Sequence, residues 1–184
     1  MSSATADDPR PLVGEPLSIE LLNTRWIDNN GPQDLLDGLP GLAVWLLSVG
    51  LEQRCDADAA TLRHLLHARE ALTAAVADPA APSEQARNLL NDVLAHGRLR
   101  RALTADGPTA TAETDDPARL AAWLTADDYL RLLAEDPTRI RPCANPACVL
   151  HFFDTSQNRR RRWCSMAACG NRAKAARHYA RART

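Results

Sequence analysis

Apolar residues recur with a helical period along most of the first 138 positions. Leu17, Ile19, Leu21, Leu22 and Trp26 leave one face for burial, and the spacing predicts a helix over Leu17 to Ile27. Pro40 suits the first turn of a second helix, where its missing N–H costs nothing; Leu42, Val44, Trp45, Leu46 and Val49 follow before Gly50 ends it. The clearest period runs over 58–77, with Leu62, Leu65, Leu66, Leu72 and Val76 on one side and Asp78-Pro79 as the stop. Ser83 to Ala86 reads as a cap and first turn, leading Leu89, Leu90, Val93 and Leu94 inward until Gly97. The pattern then changes. Two alternating stretches, Leu99 to Leu103 and Thr109 to Thr114, flank Asp106-Gly107, a hairpin signal. Pro117 begins a last helix through Leu133, carrying Leu120, Trp123, Leu124, Tyr129, Leu130 and Leu133, and Asp136-Pro137 breaks it. Residues 1–16, rich in Pro, Asp, Ser and Thr, read as a flexible lead-in. The expected class is mainly α with small β hairpins: an α-helical N-terminal domain over 17–138, then a separate module over 139–184.

Composition supports this division. The 184 residues are 45% hydrophobic, enough to build a core, and the apolar set is mostly Ala and Leu, which favours helix over strand. No run approaches the ~18 consecutive apolar residues of a membrane span. Nor does a basic stretch followed by an apolar one open the sequence. A cytoplasmic protein with no membrane partner is expected. The net charge of −1 conceals an asymmetry. Residues 139–184 hold eleven Lys/Arg against one acid, Asp154, while the other 138 hold eleven against twenty-two. An acidic body thus carries a basic appendage of +10, which calls for an anionic partner.

The appendage also holds four of the five cysteines: Cys143 and Cys148, then fifteen residues, then Cys164 and Cys169. Each pair can clamp one edge of a tetrahedron, and in a reducing compartment such a cluster points to a metal rather than to disulfides. Four thiolates in tetrahedral array suit Zn²⁺, and with every position taken by Cys the zinc is structural rather than catalytic. A 46-residue segment also needs such a staple. Asn145-Pro146 marks a tight turn inside the first pair, Val149 to Phe153 the return strand of a hairpin, and Ala173 to Arg183 a closing helix. That order, knuckle, hairpin, then a Cys at a helix start, is treble-clef-like. Trp163, with Phe152 or Phe153, is the expected hydrophobic plug; His151 is a weaker rival ligand, and Cys55 a plain thiol of the helical core.

Cys169-Gly170-Asn171-Arg172, preceded by Phe153-Asp154-Thr155-Ser156 and by Arg162-Trp163-Cys164-Ser165-Met166, resembles the CGNR-type zinc finger over about residues 140–180. The resemblance implies Cys143, Cys148, Cys164 and Cys169 as the zinc ligands. Proteins with this finger usually carry an N-terminal ABATE-type domain, regarded as part of stress-induced transcription regulators. Leu17-Ser18-Ile19-Glu20-Leu21-Leu22-Asn23-Thr24-Arg25 is similar to that domain's opening, with Glu20 and Leu21 where Asp and Phe are common.

The basic residues then have an expected use. Arg159, Arg160, Arg161 and Arg162 are consecutive, and Lys174, Arg177, His178 and Arg181 share one face of the closing helix, with Ala on another. Guanidinium forks match phosphate oxygens and guanine edges, so Arg159, Arg160, Arg161, Lys174, Arg177 and Arg181 are the candidate contacts to nucleic acid, double-stranded DNA first. Asp154, Arg162, Asn171 and Arg172 are candidates for supporting the metal site, with Arg162 or Arg172 holding Asp154 or capping the thiolates. The competing readings are an interaction module whose finger docks on an acidic partner or on its own acidic domain, an RNA-binding factor, and an anionic membrane surface. The N-terminal domain is expected to sense a signal, such as a small-molecule effector, or to mediate assembly, for instance as a homodimer. No phosphate loop, nucleophile elbow or carboxylate pair stands out, so an enzyme is not expected. His64, His67 and Glu70 have metal-compatible spacing but read as a solvated helix face. Asn23, Thr24, Arg25 and Trp26 read as helix capping or buried hydrogen bonding, with a ligand pocket as the alternative.

Overall fold

The structure, a computed structural model, describes residues 8–172 and 174. Five helices form the larger part: α1 (Leu17–Leu22), α2 (Leu39–Ser48), α3 (Ala59–Ala75), α4 (Glu84–Ala95) and α5 (Leu120–Glu135). Three antiparallel two-stranded ribbons join them: β1–β2 (Arg25–Asp28, Gly31–Asp34), β3–β4 (Gly97–Thr104, Gly107–Thr114) and β5–β6 (Ile140–Pro142, His151–Phe153). Among the described residues no helix is long and apolar enough to cross a membrane.

The first helix is shorter than its apolar period predicts. It stops at Leu22 with the buried Asn23 as C-cap, and the Thr24 hydroxyl donates to the Leu21 carbonyl at 2.7 Å. Such side chains offer the backbone an alternative to the next helical turn. The chain then enters β1, reverses at Asn29-Asn30, and returns through Gly31 at φ +103°, a conformation that favours glycine. The expected helix to Ile27 is therefore half helix and half hairpin. The Asn-Gly pair just after it was the available signal for a turn.

Helix starts follow their caps. Asp58 accepts from Thr61 N at 2.8 Å and Ser83 from Ala86 N at 3.1 Å, each satisfying an amide that the first turn leaves unpaired. Around α3 the buried stripe includes Leu65, Ala68, Ala71, Leu72 and Ala75, while Leu62 and Leu66 are only partly covered. On α5 it includes Ala121, Ala122, Ala126, Tyr129 and Leu132, and Leu130 faces solvent. Small residues on facing stripes bring the α3 and α5 backbones close, which displaces the larger leucines toward the flanks. Helix α1 is buried along nearly its whole length, packing on α3 and α5 and on β6. Its first turn is closed from α5, where Asp128 accepts from Ser18 N and Oγ at 2.8 and 2.7 Å.

The Asp106-Gly107 hairpin forms in register Thr104↔Gly107 to Gly97↔Thr114. At its base Gly97 lies against the Trp123 indole, where a methyl group would come within 2.5 Å of the ring. The apolar residues Ile140, Leu150, Phe152 and Phe153 of the C-terminal segment belong to the same buried cluster as Leu21, Leu65 and Tyr129. One core therefore runs through both parts of the chain.

Candidate metal centre and basic surface

The first cysteine pair sits at the tip of β5–β6. Cys143 N donates to Leu150 O at 2.9 Å, and the Cys148 amide closes the knuckle on Asn145 O at 2.9 Å. The second pair is held by a one-turn helix, Met166–Gly170, whose cap Ser165 accepts from Ala168 N. Ala144 N donates to Arg162 O at 2.8 Å, tying the two knuckles together. The four Sγ atoms all lie within 4.8 Å of one another, with Cys148–Cys164 at 3.8 Å and Cys164–Cys169 at 3.6 Å. A tetrahedron with Zn–S of ~2.3 Å has edges of ~3.8 Å. The donor set and its spacing therefore fit zinc, and these four thiolates are the groups that would hold it.

A thiol hydrogen bond from Cys164 pulls the Cys148 thiol down to about 5, and the same contact, with burial, pushes Cys164 up. Two further N–H groups point at sulfur: Asn145 Nδ2 to Cys169 at 3.3 Å and Cys164 N to Cys143 at 3.4 Å. Asn145 thus makes a contact to sulfur of the kind expected of Arg162, Asn171 or Arg172. Asn171 donates instead to Ala167 O at 3.3 Å, and the Arg172 side chain is exposed. The legible signal was an Asn two residues after a ligand cysteine, where its side chain both turns the chain and reaches back.

Asp154, the finger's one acid, is fully buried and has four donors. Ser156 N and Oγ reach it at 3.0 and 2.6 Å, Arg161 N at 3.1 Å, and Arg141 Nη1 at 3.4 Å. Burial alone would raise its carboxyl; these donors outweigh burial and hold it below the usual range. Its partner is Arg141, not Arg162 or Arg172. Phe152 and Phe153 plug the module, while Trp163 is only half-buried, with the Arg162 guanidinium 5.2 Å from its ring centroid.

The finger meets the helical domain along β6. Strand β5 pairs with one edge of β6, leaving the His151 and Phe153 amides on the other. Among the described residues no third strand adds to it. The Asn23 carboxamide brackets His151, accepting from its N–H at 2.9 Å and donating to its carbonyl at 3.0 Å, and Glu15 accepts from Phe153 N at 3.0 Å. Asn23 behind α1, and Glu15 in the segment expected to be a flexible lead-in, thus satisfy an edge that would otherwise be buried unpaired. Glu15 also accepts from Arg161 Nη2 at 2.8 Å. Arg161 further donates to Cys164 O at 2.7 Å and lies 4.3 Å from the Phe152 ring centroid.

This arrangement redistributes the basic residues. Arg161, expected at a nucleic-acid face, is committed to the seam. Arg159 is 60% exposed but pairs with Asp136 at 2.7 Å. Arg160, Arg162, Arg172 and Lys174 are exposed and have no carboxylate partner among the described residues. The helix expected over Ala173 to Arg183, with Arg177 and Arg181, lies outside the described residues except for Lys174. His151 is a seam residue whose burial lowers its pKa, not a member of the thiol cluster.

Elsewhere, His64 faces Asp116 at 4.0 Å and His67 faces Asp92 at 3.0 Å, so the two histidines serve separate partners. Among the described residues the only group placed to hold a metal is the four cysteines. Cys55 is buried, a plain thiol at the edge of the helical core. Arg69 escaped the sequence reading. It is buried and grips Asp34 through two hydrogen bonds of 2.6 and 2.8 Å, with a third to the Thr24 hydroxyl at 2.8 Å.

Residues 15–136 match the family ABATE, described as "Putative stress-induced transcription regulator". The match covers more than half of the sequence. The chain belongs to the ABATE family. Residues 139–182 match the CGNR zinc finger, so this ABATE protein carries its finger directly behind the helical domain. No curated protein matches the sequence. Neither family is an enzyme family, and the finger's cofactor is structural zinc.

Proposed function

We propose that this ABATE protein is a DNA-binding transcription regulator. Its zinc finger contacts duplex DNA, and its helical domain receives a signal or mediates assembly. The observation that carries the reading is the set of exposed cations on one metal-held unit: Arg160, Arg162, Arg172 and Lys174. The finger's one acid, Asp154, is buried and cannot offset them. Arg177 and Arg181 extend the set along the sequence. Such a surface gains affinity for a polyanion by releasing condensed counterions.

The hydrogen bonds and ion pairs also refine the assignment. Arg159 and Arg161 are spoken for by Asp136 and Glu15, so part of the arginine run serves the docking of the finger on its own acidic domain. Docking and DNA binding thus use different members of one run. The test is the salt dependence of binding between the zinc-loaded protein and random-sequence duplex DNA. Replacing Arg160 and Arg162 with Gln should flatten the slope of log affinity against log salt by about 0.9 for each phosphate that is no longer neutralised. Undetectable duplex binding at low salt would sink the proposal, and preference for an RNA duplex would move it to another class.

A further inference from the structure

Between the β1–β2 ribbon and β6 lies a cavity of about 530 Å³, within the ~300–1,000 Å³ usual for small-molecule sites. Its walls come from both parts of the chain: Leu22, Trp26 and Ile27 from the helical domain, Val149 and His151 from the finger. Ile27 and Val149 are 42% and 47% exposed, so apolar surface faces water that an occupant would cover. Polar groups lie at one side. Asp34 is shared between Arg69, which is nearly buried, and Arg25, whose Nε lies 3.0 Å away. Arg69 is taken up by Asp34, so the accessible guanidinium is that of Arg25, 60% exposed at the cavity wall and spending only its Nε on Asp34. Burial keeps the His151 ring toward its neutral form, so it adds hydrogen bonding there rather than charge.

We propose that this cavity binds a small aromatic carboxylate, its ring against Trp26, Ile27 and Val149 and its carboxylate on Arg25. The apolar walls suit a flat hydrocarbon body, and the exposed end of the Arg25 guanidinium suits a planar anion that can accept two parallel hydrogen bonds. The position also suits a signal. Asn23, which follows the wall residue Leu22, holds the His151 backbone, so an occupant touches both sides of the seam between domain and finger. A ligand that binds more tightly with the finger seated favours that placement by its difference in affinity. The proposal deepens the sensing half of the function above and rests on it only for the consequence at DNA.

The experiment is calorimetric titration of 2-naphthoate, and in parallel the uncharged 2-naphthalenemethanol, into the full-length zinc-loaded protein without DNA. Saturable one-to-one binding is expected, with the carboxylate at least about tenfold tighter than the alcohol. Arg25→Gln, at an exposed position, should bring the two affinities together. Thr73→Trp, at an exposed position of α3 on the cavity wall, should abolish both while zinc content and melting temperature hold. No saturable binding to the wild type, equal affinities for the two probes, or binding that survives Thr73→Trp would each overturn the proposal. Because no DNA is present, such a failure leaves the DNA reading standing, and a failure to bind DNA leaves the cavity standing.

Discussion

Replacing Asn23 with Ala tests whether the helical domain and the finger are one cooperative unit. Asn23 is fully buried, and its carboxamide makes both hydrogen bonds to the His151 backbone, at 2.9 and 3.0 Å. Alanine removes two bonds worth about 1 kcal/mol each and strands a backbone N–H and a carbonyl at a covered strand edge, where an unsatisfied group costs ~1–3 kcal/mol. Some relaxation or entry of water will recover part of this, so the net loss is set at about 3 kcal/mol. For a chain of this length that corresponds to roughly 6–12 °C in Tm. Urea denaturation of the zinc-loaded variant, followed by far-UV circular dichroism and by zinc release to a chromophoric chelator, reads both parts at once. If Asn23 joins the two parts, both transitions move together. A loss under about 1 kcal/mol, or a shift in the zinc transition alone, would show that β6 is not held by this side chain.

Three further outcomes follow from the same geometry. Cys164→Ser should lose stoichiometric zinc by elemental analysis, and it should also lower the melting temperature of the helical domain, because Phe152 and Phe153 share that domain's core; a helical transition unchanged by the loss would contradict the single core. Asp34→Asn leaves the nearly buried Arg69 without its counter-charge and should cost about 2–4 kcal/mol. In the wild type, burial raises the Asp34 carboxyl but Arg69 and Arg25 more than reverse this, so its stabilisation is complete above ~pH 4 and fades as pH falls through the depressed native value; the variant's stability profile should be flatter there, and an equal acid slope would refute the assignment. Arg161→Gln should destabilise the fold, judged by urea midpoint, with little change in the salt slope of DNA binding, whereas Arg160→Gln should do the reverse; parallel behaviour of the two would erase the division of labour in the arginine run.

The metal centre was legible in the sequence because ligation is a local property. Two cysteine pairs separated by fifteen residues can be brought together by one hairpin, and only a few side-chain types can be ligands. The helix cap at Ser83 and the Asp106-Gly107 turn were readable for the same reason, since each depends on residues a few positions apart. The stripes of α3 and α5 were only half readable: apolar period marks which side is covered, but the partner helix decides whether Ala71 or Leu66 takes the centre.

What tertiary structure alone decided is the use of each polar residue. Arg160 and Arg161 are neighbours of the same type, yet one is exposed and the other bridges Glu15, 146 positions away. Asn23 and His151 are 128 positions apart, and nothing in the composition of either segment announces their pairing. Arg69 stands between His67 and Glu70 in the sequence, where nothing marks it out, and the fold buries it on Asp34. A charge or an amide is locally indifferent to its partner; its energy depends on what the fold places within about 3 Å of it, and on whether water is left to compete. The sequence therefore determined that a zinc-stapled basic finger exists, and the fold decided which of its arginines remain available to an anion.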